Sequence, residues 1–462
     1  MNLARLPYLL LIPVLIGAFA FHAYRAEHPT SSYQSADERS YGKLAINIAE
    51  QHHYGDPSTG MQDALHWPPG APILYAAGHF VFGSEASERT FDLPEAYWLQ
   101  ALVSTATVAV AFLLAWALAG AWAGLVAAVL VGFYPPLILA TGEQLSEPLG
   151  GFLLISAFLA FALAARRRTT PLYAVAGFLL GLAVLTRADL LPVPFVLGVI
   201  SFIWIWRRRG EWQRGGIVGG LLIAGALVAI VPWSFYASQR AGEIVPVTRG
   251  SGSALFVGTY LPGNGTTVGM KRSLGSEAKR LNPKLRGTAN FDLPARSVLA
   301  VVAARHPDLD FNKAVALEGR KNLVEYGLKD PVEFAGMMLN KVQRMWSRYS
   351  RGGARHTNGV IRVWHILLVL ATFSGLIAGI ATRRSVLLGC ILGTVLISTA
   401  VHMIVVSQAR YNLPLMPALI AGGVAGWFMF AHGPVQRRPP QRVADEGEPP
   451  DYEPSPPAFA PE

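Results

Sequence analysis

The chain has 462 residues, 52% of them hydrophobic and only 15% charged, with a mean hydropathy of +0.36, which excludes an ordinary soluble domain of this size. Its formal charge of +10 does not point to nucleic acid, because the largest share falls in residues 240–362, a segment predicted below to face the outer side of a membrane, where lipid phosphate is the better counterpart. The single cysteine, Cys390, excludes an intrachain disulfide and a cysteine zinc site.

The first apolar stretch, residues 6–23, is longer than a signal-peptide core and lacks a small-residue cleavage site, so it reads as a retained membrane helix. Apolar stretches follow at 97–118, 122–140, 149–165, 172–185, 190–206, 216–236, 363–381, 386–406 and 413–431, which predicts about ten spans in an all-α membrane protein. Arginine clusters at 166–168, 207–209, 383–384 and 437–438 all fall on one side if every span crosses once, and Arg5 shares it. By the positive-inside rule that side and both chain ends are cytoplasmic. The intervening turns then lie outside, with two long outer segments at 24–95 and 237–362.

In the first outer segment Tyr41, Leu44, Ala45, Ile48 and Ala49 recur at helical spacing, with Arg39, Lys43, Asn47 and Glu50 opposite, the pattern of a helix lying on the bilayer. After Pro68-Pro69-Gly70, the apolar run 73–82 is too short to span and reads as a second interfacial or re-entrant helix. The domain organisation expected is a membrane module at 1–236 carrying the outer loop 24–95, a small, mostly helical outer domain at 237–362, terminal spans at 363–432 and a disordered cytoplasmic tail at 433–462. Helices are predicted near 294–305, 311–327 and 332–348, and the glycines at 250, 252, 258, 263 and 265 are expected in turns.

Ser35-Ala36-Asp37-Glu38 fits a capping box, with Ser35 as N-cap and Glu38 as its reciprocal partner. The same cap fixes the direction of both carboxylates, and a fixed carboxylate at a membrane surface can accept a hydroxyl proton. Glu143 and Glu147 occupy another outer turn, with Ser146 at the N-cap position and Pro148 early in the next helix, so helix capping accounts for them equally well. Arg187 and Asp189, and Arg410 and Tyr411, lie at the outer ends of two further hairpins. Either the arginines reach to lipid headgroups or they converge on a phosphate, for which guanidinium has the right fork of donors. His52, His53, His66 and His79 show neither zinc nor EF-hand spacing, so no metal is expected. The predicted spans hold almost no ionisable residue near their middles, unlike an ion-coupled transporter.

The order of these features resembles the polytopic GT-C glycosyltransferases that use lipid-phosphate sugars, the group that includes protein O-mannosyltransferases and the aminoarabinose transferase of lipid A. The likeness is carried by Asp37-Glu38 in the first outer loop and then by "HWPPGAP", "YPPLILATGEQLSEPL", "GLAVLTRADLL", "VPVTRGSGSALFVGT" and "RYNLPLMPAL". It implies that Asp37 is the first-loop acid acting as general base or acceptor-positioning group, that Glu38 assists it, and that Glu147 is the acid of the second turn. It further implies that Arg187, Arg410 and Tyr411 lie near the donor phosphate and that His66 and Glu143 contact substrate. The implied donor is a polyprenyl-phosphate-linked sugar, and the acceptor a glycan, lipid or protein hydroxyl. The likeness implies transfer with inversion on the outer face of a plasma membrane and no cofactor, and the alanine- and arginine-rich usage points to a bacterial membrane. The short outer domain departs from the larger members and leaves acceptor recognition without a counterpart. A lipid-linked glycan flippase is the competing class.

Overall fold

The structure, a computed structural model, describes residues 5–29, 35–55, 64–83, 91–348, 359–383 and 385–432. The predicted tail at 433–462 and the arginines at 384, 437 and 438 lie outside the described residues. Every regular element described is helical. In chain order these are α1 (Leu6–Glu27), α2 (Ala36–Gln51), α3 (Gly70–Phe82), α4 (Pro94–Ala119), α5 (Ala121–Gly132), α6 (Pro135–Ala140), α7 (Glu147–Arg167), α8 (Pro171–Thr186), α9 (Val193–Arg209) and α10 (Trp212–Ala241). The segment after α10 forms α11 (Ser251–Thr259), α12 (Thr267–Leu281), α13 (Ala295–Ala303), α14 (Phe311–Lys329) and α15 (Pro331–Ser347), and the chain continues through α16 (Gly359–Arg383), α17 (Val386–Ile404) and α18 (Met416–Ala431).

Among the described residues seven helical segments are long and apolar enough to cross a membrane, whereas α3, α5, α8 and α18 are shorter apolar helices. The difference from the expected set has local causes. The stretch 122–140 is not one span: Pro135 and Pro136 end it after Gly132 and restart a single turn, α6, because proline cannot donate into a continuing helix. The stretch 413–431 loses its first residues to the short 3-10 turn Ala409–Asn412 and the residues after it. α8 has 16 residues and so a length of about 24 Å, less than a typical hydrocarbon core.

The bundle is held by one large core drawn from α1, α4 to α10 and α16 to α18. Lipid-like surroundings give little hydrophobic drive between helices, so close approach of small residues matters more. It is realised between α8 and α10, where a Cβ on Gly225 would strike the Ala174 carbonyl, and between α16 and α18, where one on Gly426 would strike the Gly375 carbonyl.

α2 forms as expected, but its apolar face meets protein rather than lipid. Tyr41 and Ala45 pack with Ala71, Tyr75 and Ala96 of α3 and α4, while Leu44 packs with Tyr54, Leu65 and Ala237. Asn47, expected on the solvent face, is buried and donates to the carbonyls of His53 at 2.7 Å and Gly55 at 2.6 Å. Those two bonds close the end of the helix, where His52 adopts a left-handed φ of 53°.

The helices between α10 and α16 have a core of their own, built from α11 to α14 around Phe256, Met270, Leu274, Val298 and Val302. The three predicted helices appear at Ala295–Ala303, Phe311–Lys329 and Pro331–Ser347. The glycine-rich stretch differs: Gly252 and Gly258 lie within α11 rather than in turns. They are packing positions, since a Cβ on Gly258 would collide with the backbone at Val405 and one on Gly252 would lie 2.9 Å from Ala316 Cβ. Lys341 pins this domain to the bundle, its Nζ donating to the carbonyls of Gly258 at 2.8 Å and Met403 at 2.6 Å. Burial, assisted by neighbouring Arg344, pushes its pKa down to about 7.

The α8–α10 contact is directly testable. Gly225→Val should destabilise the protein by about 1–3 kcal/mol through overpacking, read as earlier thermal unfolding in detergent, whereas Gly220→Val, at a position open to space, should change little.

Candidate active site

Three helix ends and one short turn bring the site together. The N-terminus of α2 supplies Asp37 and Glu38, the first residue of α7 is Glu147, the C-cap of α8 is Arg187, and the turn Ala409–Asn412 supplies Arg410 and Tyr411. The capping box is complete: the Ser35 N–H donates to Glu38 Oε1 at 2.8 Å and the Glu38 N–H donates to Ser35 Oγ. Helix polarity adds to this geometry, because the acids sit at the positive ends of α2 and α7.

Glu38 is buried and its second oxygen accepts the Gln144 N–H at 3.4 Å. Gln144 in turn accepts from the Leu93 N–H at 3.0 Å and donates to the Phe91 carbonyl at 3.1 Å, tying the start of α2 to the approach of α4. Burial raises the pKa of Glu38, while hydrogen bonds from Ser35 and Gln144 and the charge of Arg410 work in the opposite direction.

The remaining groups form a continuous chain of charges. Arg410 pairs with Asp37 through Nη2 and with Glu147 through Nε at 3.4 Å. Glu147 accepts Arg187 Nη1 at 3.0 Å. Arg187 Nε faces Asp189 Oδ1 at 3.2 Å, and Asp189 Oδ2 lies 3.2 Å from His402 Nε2. Tyr411 stands over both cations, with its ring centre 5.1 Å from the Arg187 guanidinium and 5.8 Å from that of Arg410. Burial pushes its phenol up to about 12. Tyr41, on the first turns of α2, is buried beside the chain, and Ser146 occupies the N-cap position of α7 without making a side-chain cap bond.

Exposure separates the acids. Asp37 retains 27% of its side-chain surface and Asp189 19%, against 2% for Glu147. Glu147 is therefore a buried hub whose negative charge holds two guanidinium groups, and Asp37 is the carboxylate most open to an incoming hydroxyl. Both arginines already have carboxylate partners, so a phosphate reaching them would meet a neutralised pair rather than free cations.

Asp37, Glu38, Glu147, Arg187, Arg410 and Tyr411 are thus brought together. Glu143 and His66 have other neighbours. Glu143 is buried, with its carbonyl accepting from Gln100 and its charge felt by Tyr97, while the His66 ring lies against Gly250 and edge-on to Trp67 at 4.9 Å. Asp189 and His402 belong to the chain but were not among the expected site residues. The "RAD" spacing of Arg187 and Asp189 was the only sequence signal for the first, and His402 is 213 residues away from it. Among the described residues no three His, Cys, Asp or Glu side chains converge as metal ligands do.

The pKa shift of Glu38 gives a test. A carboxyl whose folded pKa is raised contributes stability at acid pH that is lost as pH rises through the folded value. The stability difference between wild type and Glu38→Gln should therefore favour wild type most at low pH and shrink as pH increases, measured by thermal unfolding in detergent across a pH series. A difference that grows with pH would contradict this assignment.

No family model and no curated protein matches the chain. Solved structures do. The archaeal oligosaccharyltransferase AglB from Archaeoglobus fulgidus, in complex with an inhibitory peptide and a dolichol-phosphate, is similar over 91% of this chain and 50% of its own, at 13% identity and a TM-score of 0.54. An Archaeoglobus fulgidus oligosaccharyltransferase in the apo form is similar over 90% of this chain and 50% of its own, at 16% identity and a TM-score of 0.52. ArnT from Cupriavidus metallidurans bound to undecaprenyl phosphate covers 92% of this chain and 79% of its own, at 16% identity and a TM-score of 0.43. The chain spans about half the length of the oligosaccharyltransferases it matches. Its fold is shared with that of the archaeal oligosaccharyltransferase AglB.

Proposed function

We propose that the protein is an integral membrane glycosyltransferase that moves a sugar from a polyprenyl-phosphate donor to an acceptor hydroxyl, with Asp37 as the general base. The observation that carries this reading is the exposure of Asp37 at the end of a buried chain of ion pairs that fixes its position. The fold shared with AglB supports the reaction class, and the dolichol-phosphate bound to that protein supports a lipid-phosphate donor.

In the proposed reaction the isoprenoid stays in the lipid and the phosphosugar sits at the membrane surface. An acceptor oxygen attacks the anomeric carbon as the bond from that carbon to the lipid phosphate oxygen breaks. The hydroxyl proton passes to Asp37, an ionised carboxylate being an acceptor only, and the bonding pair leaves with the lipid phosphate. A single displacement inverts the anomeric centre. Arg410, beside Asp37, and Arg187 behind it offset negative charge developing on the leaving phosphate, and Tyr411 holds both guanidinium planes in place. Glu147 keeps the two arginines at fixed separation. His66 and Glu143 are proposed as further contacts to the substrates.

The site is proposed to face the outer side of a bacterial plasma membrane, in keeping with arginine clusters at the opposite helix ends. Nucleotide sugars are absent there, so a lipid-borne donor suits the location.

Asp37→Asn should leave the protein inserted and as thermally stable as wild type to within about 1 kcal/mol, since an amide can still accept from Arg410. Sugar transfer from a lipid-linked donor should fall by about a hundredfold or more, the scale expected for loss of a positioned base. Near-normal transfer by this variant removes Asp37 from the mechanism.

A further inference from the structure

Outside the site described above, a polar cavity of about 290 Å³ lies where the outer domain meets the start of α16. Arg344 and Arg348 enter it from the last turns of α15, and Arg362 enters from the first turn of α16. The amides of Asn264, Asn340 and Gln343 complete most of the wall. Its volume corresponds to roughly ten waters, enough for a small polar group and too little for a folded segment.

The lining is chemically one-sided. It holds three guanidinium groups and no carboxylate. Among the described residues none of the three has an ion pair with an acid, in contrast to Arg187 and Arg410, whose carboxylate partners neutralise them. Nη1 of Arg344 is buried without a hydrogen-bond partner, and burial together with the charge of Arg348 pushes the Arg344 guanidinium's pKa down. Arg362 spends its Nε on the Ser347 carbonyl at 3.0 Å, which leaves its terminal nitrogens for other partners and joins α16 to α15. A buried cation without a partner is costly, and cations gathered around a shared polar space are stabilised by an anion placed between them.

We propose that this cavity is a phosphate-binding site, which takes the phosphate group of a monoester at the membrane boundary. Convergent guanidinium forks match the several oxygens of a phosphate better than the two of a carboxylate. Amide N–H groups from Asn264, Asn340 and Gln343 supply the neutral donors that surround such a dianion. The position at the end of a membrane-crossing helix sets the cavity at headgroup level, where basic pockets meet lipid phosphates. A lipid headgroup and a soluble phosphate ester present the same group to these residues. The site does not depend on the chain being a transferase.

The test uses the purified full chain in detergent. Inorganic phosphate, at matched ionic strength against acetate, should raise the unfolding temperature of wild type in a saturable manner. Binding should weaken by at least about tenfold, the scale of a lost charged hydrogen bond, in Arg344→Gln/Arg348→Gln. Should that double variant fail to fold, Asn264→Asp keeps every arginine and places a carboxylate among them, and it should abolish the phosphate response by itself. Retention of phosphatidic acid by wild type and not by Asn264→Asp, read by native mass spectrometry and reversed by inorganic phosphate, identifies a lipid source. A phosphate response without phosphatidic acid retention identifies a soluble ester. Equal responses to acetate and phosphate, or equal phosphate binding by wild type and Asn264→Asp, overturn the proposal. Because binding is read, failure of sugar transfer and failure of this site are separate results.

Discussion

The structure depends on one carboxylate buried between two guanidinium groups. Glu147 can sit almost wholly out of water only because Arg187 and Arg410 both reach it, and those arginines can be buried only because Glu147, Asp189 and Asp37 face them. Removing Glu147, the buried member that faces both arginines, leaves those cations short of a partner in a poorly solvated place, at a cost of about 3–5 kcal/mol, whereas part-exposed Asp37 is screened by water. The mutual requirement links the ends of α2, α7 and α8 and the turn before α18, segments that are far apart in sequence. The same electrostatics that close the bundle therefore aim the residues offered for chemistry.

That constraint also explains why the capping box of α2 serves more than the helix. Glu38 satisfies the Ser35 N–H and, through Gln144, fixes the helix against the approach to α4. Its neighbour Asp37 is left pointing at Arg410 with part of its surface open. Structural and chemical roles are divided between adjacent acids by burial, with the hidden one holding the cap and the open one facing solvent.

Much of this was legible in the sequence where local rules govern. The capping box, the amphipathic face of α2 and the helices α13 to α15 follow from spacing and turn residues alone. The all-α membrane architecture follows from apolar run lengths, although Pro135 and Pro136 split a stretch that hydropathy alone reads as continuous. Legibility failed where partners are distant. No local pattern shows that Leu44 packs on Ala237, that Gly258 lies in a helix against Val405, or that Asp189 is bridged to His402. The sequence left open whether Arg187 and Arg410 reach lipid headgroups or converge on a phosphate, and could not show their carboxylate partners, because convergence is a property of the packed bundle.

The central claim is glycosyl transfer rather than lipid movement. Its most direct measurement reconstitutes the purified chain in liposomes with a polyprenyl-phosphate sugar carrying a labelled anomeric carbon and a hydroxyl acceptor, and reads the product by mass and anomeric configuration. The account predicts a new glycosidic bond of inverted configuration and release of polyprenyl phosphate. Translocation of the intact lipid-linked sugar with no covalent product, or a product with retained configuration, would contradict it.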